Sequence, residues 1–343
     1  RASCTSSLLP VFFCFLLINR SPFPLRINHS LLPSYTTNMA SINSALLVFL
    51  TVAFYSNLSL AARQISQLEP LTWPLTYHEG PLLSGSISLN IIWYGNFKPA
   101  QRAIVSDFLY SLSSPADGHP SVATWWKGID RYYSSVNSVK PSALQLSIGR
   151  PISDESYSLG KKLTAQQITL LAAKGGMKSS INVVITSADV AVDGFCSIKC
   201  GSHGIGKSSK VPYIWVGNAE QQCPGHCAWP FHKPIYGPQS PALIAPNNDV
   251  GVDGIVTNLA SLLVGTVTNP YGNGYFQGPK KAPMEASSAC SGVYGKGAYP
   301  GYPGDLLVEK TSGASYNARG VNGRKYLLPA MMNPGTSTCS TLV

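Results

Sequence analysis

Leu83-Ser-Gly-Ser-Ile-Ser-Leu-Asn-Ile-Ile-Trp-Tyr94, followed by Gly95-Asn-Phe-Lys-Pro99, decides the fold class. Ile87, Leu89 and Ile91 alternate with Ser86, Ser88 and Asn90, so one face is apolar and the other polar, the pattern of a half-buried strand. Asn96-Phe-Lys-Pro99 then reads as a helix start, because proline has no N–H to lose in the first turn. Ile104, Phe108 and Leu112 supply that helix with an apolar stripe. A strand feeding a helix points to layered α/β architecture.

Outward from this unit the pattern continues. Ser121 to Tyr133 predicts a second helix, with Val122, Trp125, Trp126, Ile129, Tyr132 and Tyr133 near helical spacing. Ala143 to Ile148 predicts a strand. Thr164-Ala-Gln-Gln167 is a capping box that opens a helix running to about Lys174, where Gly175-Gly176 ends it. Ile181 to Ile185 and Tyr213 to Val216 read as buried strands, separated by a cysteine loop and the Gly/Ser/Lys stretch Gly201 to Lys210. Val250 to Val267 is the most apolar helix, stopped by Asn269-Pro270. Asp253 reads as its cap carboxylate. Leu306 to Val308 and Tyr326 to Leu328 are short strand-like pieces. No repeat or linker interrupts the pattern. The expectation is a single domain of the α/β or α+β class over 63–343, with a central mixed sheet flanked by helices in three layers.

Composition narrows the function. Of 343 residues, 44% are hydrophobic and 12% charged, which excludes a charge-rich disordered chain. The net charge is +10, but no run of Lys or Arg exceeds two residues, so a nucleic-acid partner is not indicated. The first methionine is Met39. Residues 1–38 read as an upstream translated segment, with a longer targeting extension as the alternative. Residues 39–62 read as a secretory signal peptide: a polar start, an apolar centre from Ala45 to Tyr55, then small residues ending at Ala61 and Ala62. That centre is too short for an integral membrane anchor. Residues 1–62 hold three basic and no acidic side chains, so cleavage there leaves a charge of +7. The expected location is extracellular, where a mild positive charge either favours polyanionic polymers or serves only solubility.

Six cysteines follow residue 62: Cys196, Cys200, Cys223, Cys227, Cys290 and Cys339. An even number in an exported chain reads as three disulfides, with fifteen possible connectivities. Proximity favours bonding the Cys196/Cys200 group to the Cys223/Cys227 group, leaving Cys290 for Cys339. A zinc cluster with His203 or His226 is the competing reading. No nucleophile elbow, P-loop or paired-histidine helix occurs, and Ser287, Ser288 and Glu285 lack an evident histidine partner. No cofactor is implied and no catalytic residue stands out. The aromatics Trp125, Trp126, Tyr271, Tyr275 and Phe276 are the candidate ligand surface, because aromatic faces stack on sugar rings. Trp125 and Trp126, at helical spacing, also suit a core, whereas Tyr271, Tyr275 and Phe276 fall on Gly-rich loops that are harder to assign to one.

Several longer blocks resemble one family. They are Tyr77-His-Glu-Gly-Pro-Leu-Leu83, Asn90-Ile-Ile-Trp-Tyr-Gly95, Val183-Val-Ile-Thr-Ser187, Tyr213-Ile-Trp-Val-Gly217, Cys223-Pro-Gly-His-Cys-Ala-Trp-Pro230 and Gly320-Val-Asn-Gly-Arg-Lys-Tyr326. They look like the plant EXORDIUM family, also called phosphate-induced proteins, and the closing Ser337-Thr-Cys-Ser-Thr-Leu-Val343 resembles its EXORDIUM-like subgroup. The resemblance implies a wall-associated protein that promotes cell expansion and growth in brassinosteroid- and nutrient-linked responses. It brings no known activity or ligand, so a non-enzymatic binder of wall polysaccharide or of an apoplastic protein is the leading expectation. A secreted hydrolase, metallopeptidase-like or glycan-active, is the alternative. Some relatives place a His-Glu pair on the helix from Val250 to Pro270, as zinc peptidases do. The corresponding positions here are Ser261 and Leu262, with Gly265 where a further ligand would stand, so the resemblance also implies a degenerate peptidase scaffold without metal.

Overall fold

The alternating stretch forms its strand over Gly85–Tyr94 (β1). The computed structural model describes residues 73–114, 118–134, 136, 144–176, 178–197, 199–206 and 209–343, and the expected upstream segment and signal peptide lie outside them. Alternation holds through the first half of β1, where Ile87 and Leu89 are buried and Ser88 and Asn90 are half-buried. From Ile91 to Tyr94 every side chain is buried, because helices cover both faces of the sheet there.

Five further strands join β1 in one mixed sheet: Leu144–Ile148 (β2), Ile152–Asp154 (β3), Ser180–Thr186 (β4), Gly201–Ile205 (β5) and Pro212–Gly217 (β6). The order is β2-β1-β4-β6-β5, with β3 also beside β1. Strands β1 to β4 and β6 run parallel, in registers such as Leu89 with Ile181 and Thr186 with Gly217. Edge strand β5 is antiparallel to β6, with His203 opposite Ile214. The sequence placed β5 in a loop. Gly201-Ser-His-Gly-Ile205 carries no apolar alternation, and its pairing comes from the β6 edge.

The helices sort the core into two layers. Helix α1 (Pro99–Ser111) starts with proline at its first position, as read from the sequence. The stretch from Ser121 is broken rather than continuous: α2 (Val122–Trp126), a 3₁₀ turn at Lys127–Ile129, then α3 (Asp130–Ser134). Helix α4 (Ala165–Ala172) has the expected capping box, in which Thr164 Oγ1 accepts from Gln167 N at 3.2 Å and Gln167 Oε1 accepts from Thr164 N at 2.9 Å. After the short α5 (Pro224–Cys227) comes α6 (Val250–Thr268). Ile104 and Phe108 of α1 and Ile255 and Leu259 of α6 pack on Leu89, Ile91, Val183 and Val216. On the opposite face Ile168 and Leu171 of α4 pack on Ile92, Tyr94, Val184 and Trp215. Helix α6 is long and apolar enough to cross a membrane, with a mean hydropathy of 1.6, yet 78% of that window is buried inside the protein, which makes it a core helix. Its cap is Asp249, whose Oδ1 accepts from Val252 N at 2.9 Å. Asp253, the sequence's choice, instead accepts from Asn247 N and Nδ2.

The cysteines pair as Cys196–Cys223, Cys200–Cys227 and Cys290–Cys339. The first two join the approach to β5 to α5. The third ties the turn at Ser288–Cys290 to the C-terminal strand Thr338–Ser340. Cys200, Cys227 and His226 lie close enough to share a metal, but both sulfurs are bonded to each other and supply no thiolate.

Candidate functional site

Strands β1, β4 and β6 end side by side at Tyr94, Thr186 and Gly217. Past these ends the backbone pairing continues for one residue: Gly95 N donates to Asp154 O, Ser187 N to Tyr94 O and Asn218 N to Thr186 O, each at 3.0 Å. The chain leaves β1 toward β2 on one side and returns through α4 to β4 on the other. The crevice outside such a switch point is where open α/β sheets place their ligands. Here it is a cleft of ≈ 560 Å³.

Five segments line it. The loop after β1 and the start of α1 bring Asn96, Phe97, Lys98 and Gln101. Tyr157 comes from the segment between β3 and α4, and Ala188 and Asp189 follow β4. Asn218, Glu220 and Gln221 follow β6, and Asp249 stands at the start of α6. Two glycines permit this convergence. Gly95 has φ +95°, and a Cβ there would stand 1.9 Å from Ser187 Oγ. At Gly251 a Cβ would stand 2.2 Å from Asn218 Oδ1, so α6 meets the β6 loop only without a side chain.

The lining is fixed by its own hydrogen bonds. Asp189 accepts from Ser187 Oγ at 2.6 Å, Tyr157 OH at 2.8 Å and Lys161 Nζ at 2.6 Å. Burial alone would raise this carboxyl, but the donors from Lys161, Ser187 and Tyr157 outweigh it and hold the pKa at about 2. Asn96 Nδ2 donates to Tyr157 OH at 3.2 Å, and the Lys161 ammonium lies 4.5 Å from the centre of the Tyr157 ring. Gln101 bridges Lys98 N and Asp249 Oδ2. Asn218 is only 2% exposed, and its Oδ1 accepts from Glu220 N at 2.9 Å. The Asn218 Nδ2, Asn96 Oδ1 and Glu220 carboxylate make no hydrogen bond among the described residues.

None of the expected ligand-surface aromatics lies in this cleft. Trp125, Trp126, Tyr275 and Phe276 are buried, and only Tyr271 of that set is exposed. Trp125 Nε1 donates to Pro329 O at 2.8 Å, Tyr275 meets Tyr132 edge to face, and Phe276 stacks on His78. Trp125 and Trp126 are core residues because α2 turns its apolar face inward, and Tyr275 and Phe276 because their short strand, Tyr275–Gln277, is buried along its whole length. Trp126 also borders a second hollow with His119 and Asp130.

The expected degenerate metal positions gain no support as a peptidase remnant. Ser261, Leu262 and Gly265 lie on the stretch of α6 beside β5, where Leu262 packs against Gly201 and Gly265 faces Glu285 and His203. What the structure adds there is a pairing the sequence hid. His203 Nε2 lies 2.9 and 2.8 Å from the two Glu285 oxygens, and Asn269 Nδ2 donates to Glu285 Oε1 at 2.7 Å. Among the described residues, His203 Nδ1 is buried without a partner. Ser287 Oγ donates to Ala330 O and Ser288 Oγ accepts from Glu285 N, so neither serine is activated by the histidine. The group clamps β5 to the end of α6. Eighty-two residues separate His203 from Glu285, and no local pattern announces the pair.

Residues 75–342 match the family described as Phosphate-induced protein 1 conserved region. The chain is 61% identical over 316 residues to Protein PHOSPHATE-INDUCED 1 of Nicotiana tabacum, which covers 89% of this chain and 100% of the relative. It is 60% identical over 312 residues to Protein EXORDIUM of Arabidopsis thaliana, covering 87% and 99% respectively. Protein EXORDIUM-like 3 of the same plant is 36% identical over 281 residues, covering 78% and 82%. No solved structure matches the chain.

Proposed function

The chain belongs to the phosphate-induced protein 1 family, and from that premise we propose that it is a secreted apoplastic or wall protein that promotes cell expansion and growth by binding rather than by catalysis. Brassinosteroid and nutrient status are the signals we assign to it. The three cysteine pairs support an oxidising compartment. One observation carries the binding half of the reading: the cleft is open, and two of its three carboxylates, Asp189 and Asp249, are already engaged, which leaves Glu220 alone uncommitted among the described residues of the lining. A glycan hydrolase needs two facing carboxyl groups, one kept protonated. Asp189 is held ionised by three donors, and Asp249 caps α6 and accepts from Gln101. Asp253, whose carboxyl is raised, is buried against Asn247.

The test is expression of the full chain in a plant, with fractionation and growth measurement. The chain should appear in the wall or apoplastic wash, begin near Arg63 by N-terminal sequencing, and increase cell length. An Asn218→Ala/Glu220→Ala double variant should be exported equally and promote no growth. Retention inside the cell, or full growth promotion by the exported double variant, would contradict the reading.

A further inference from the structure

We infer that the cleft at the ends of β1, β4 and β6 binds a neutral saccharide. The inference rests on the binder reading above and names what its cleft holds.

The size is right for a small ligand, since such sites span about 300–1,000 Å³, and this one measures ≈ 560 Å³. Its chemistry is specific. A ring hydroxyl both donates and accepts, and so does the planar carboxamide of asparagine and glutamine. Asn96, Gln101, Asn218 and Gln221 bring four carboxamides to one cleft. The Glu220 carboxylate adds acceptors for a pair of neighbouring hydroxyls. The Tyr157 ring and the Ala188 methyl offer apolar surface to the C–H edge of a sugar.

Charge decides between a neutral and an acidic sugar. Asp189, Glu220 and Asp249 face the cleft against Lys98, and Lys161 already neutralises Asp189. The cleft therefore carries an excess of negative charge, although the chain as a whole is +10. Like charge disfavours a uronic-acid polymer here. A metal cation is not favoured either, because Lys161 occupies Asp189, and the Val252 N–H and Gln101 occupy Asp249. The site is preorganised: Tyr157, Asp189 and Asn218 are held before any ligand arrives, which lowers the entropy cost of binding.

The experiment is calorimetric titration of the full exported chain with neutral β-glucan and xylan oligosaccharides and, in parallel, with oligogalacturonate. At least one neutral oligosaccharide should bind saturably. Asn218→Ala and Glu220→Gln should each weaken that binding about tenfold, the loss of one good hydrogen bond. Tyr271→Ala, on an exposed ring outside the cleft, should leave it unchanged. Oligogalacturonate should bind more weakly, lose its binding in high salt, and ignore both cleft variants. Glu220 is exposed at the rim, so its variant separates lost contact from lost folding. The inference is overturned if no neutral oligosaccharide binds, if binding survives both cleft substitutions, or if the acidic oligomer is the one they abolish. Should the cleft variants stop growth while no neutral sugar binds, the ligand class is wrong and the binder reading stands. Should they promote growth fully, the binder reading falls as well.

Discussion

Two regions rich in hydrogen-bonding side chains divide the work of this protein. Around Trp125, Tyr132, Tyr133 and Tyr275 the polar atoms all reach main-chain oxygens: Tyr132 OH donates to Met332 O, Tyr133 OH to Leu83 O and Tyr275 OH to Tyr132 O. Burial pushes both the Tyr132 and Tyr133 hydroxyls far up from the usual phenol range. That region is closed. At the ends of β1, β4 and β6 the hydrogen bonds fix the side chains but leave donors and acceptors over. The aromatic region looks like a sugar platform in sequence and works as core. The cleft, built from amides and acids on five separate segments, has the leftover valence that a ligand needs.

The largest effect should fall on the closed side. Trp125→Ala removes a buried indole and its hydrogen bond to Pro329, and should cost roughly 3–5 kcal/mol in chemical unfolding. Saccharide affinity of the folded fraction should not change. Loss of affinity at unchanged stability would reverse the roles of the two regions.

Next is the clamp between β5 and α6. Glu285→Ala leaves the His203 ring, 12% exposed, without its carboxylate, and should cost about 1–3 kcal/mol by thermal unfolding. The cleft should bind as before. A null effect on stability would make the pair available for another task.

The pH profile provides a subtler comparison. Burial raises the Asp253 carboxyl to about 7, against the lowering donors of Asn247. Folding therefore favours its protonated form. Its contribution is complete below about pH 4, the unfolded value, and declines as pH rises toward 7. Asp154 and Asp189 are the opposite case. Burial opposes their ionisation, but lysine and hydroxyl donors hold both at about 2, so their contribution is present above about pH 4 and lost as pH falls toward 2. Stability should peak near pH 4, and Asp253→Asn should flatten the decline on the neutral side. An unaltered decline in that variant would assign the slope elsewhere.

The smallest effect belongs to the open side. Tyr157→Phe removes the hydroxyl that links Asn96 to Asp189 and should cost only about 1 kcal/mol, because both partners remain near water. A loss as large as that of Trp125→Ala would mean that the cleft is itself part of the structural core.

What was legible follows from distance along the chain. The alternation from Ile87, the proline that opens α1 and the Thr164 capping box are local signals, and each formed as read. Cysteine pairing by proximity also matches, since both links between the Cys196/Cys200 and Cys223/Cys227 groups span only 27 residues. Strand β5 escaped because glycine, serine and histidine carry no apolar period. The helix expected over Ser121 to Tyr133 breaks near Gly128, a poor helix former at its centre. The α6 cap moved one turn, from Asp253 to Asp249, because both acids fit the local pattern and tertiary burial chose between them. The cleft was not legible because Asn96, Tyr157, Asp189 and Asn218 meet only after the sheet has assembled. The aromatics drew attention through composition, although composition does not say which way a ring faces.

The central claim is tested most directly by hydrogen–deuterium exchange of the full chain with and without a saturating neutral β-glucan oligosaccharide. Protection should rise together at 95–101, 187–189 and 218–221, and leave 122–134 and 271–277 unchanged. Protection confined to those two aromatic segments, with the three strand-end segments unaffected, would contradict it.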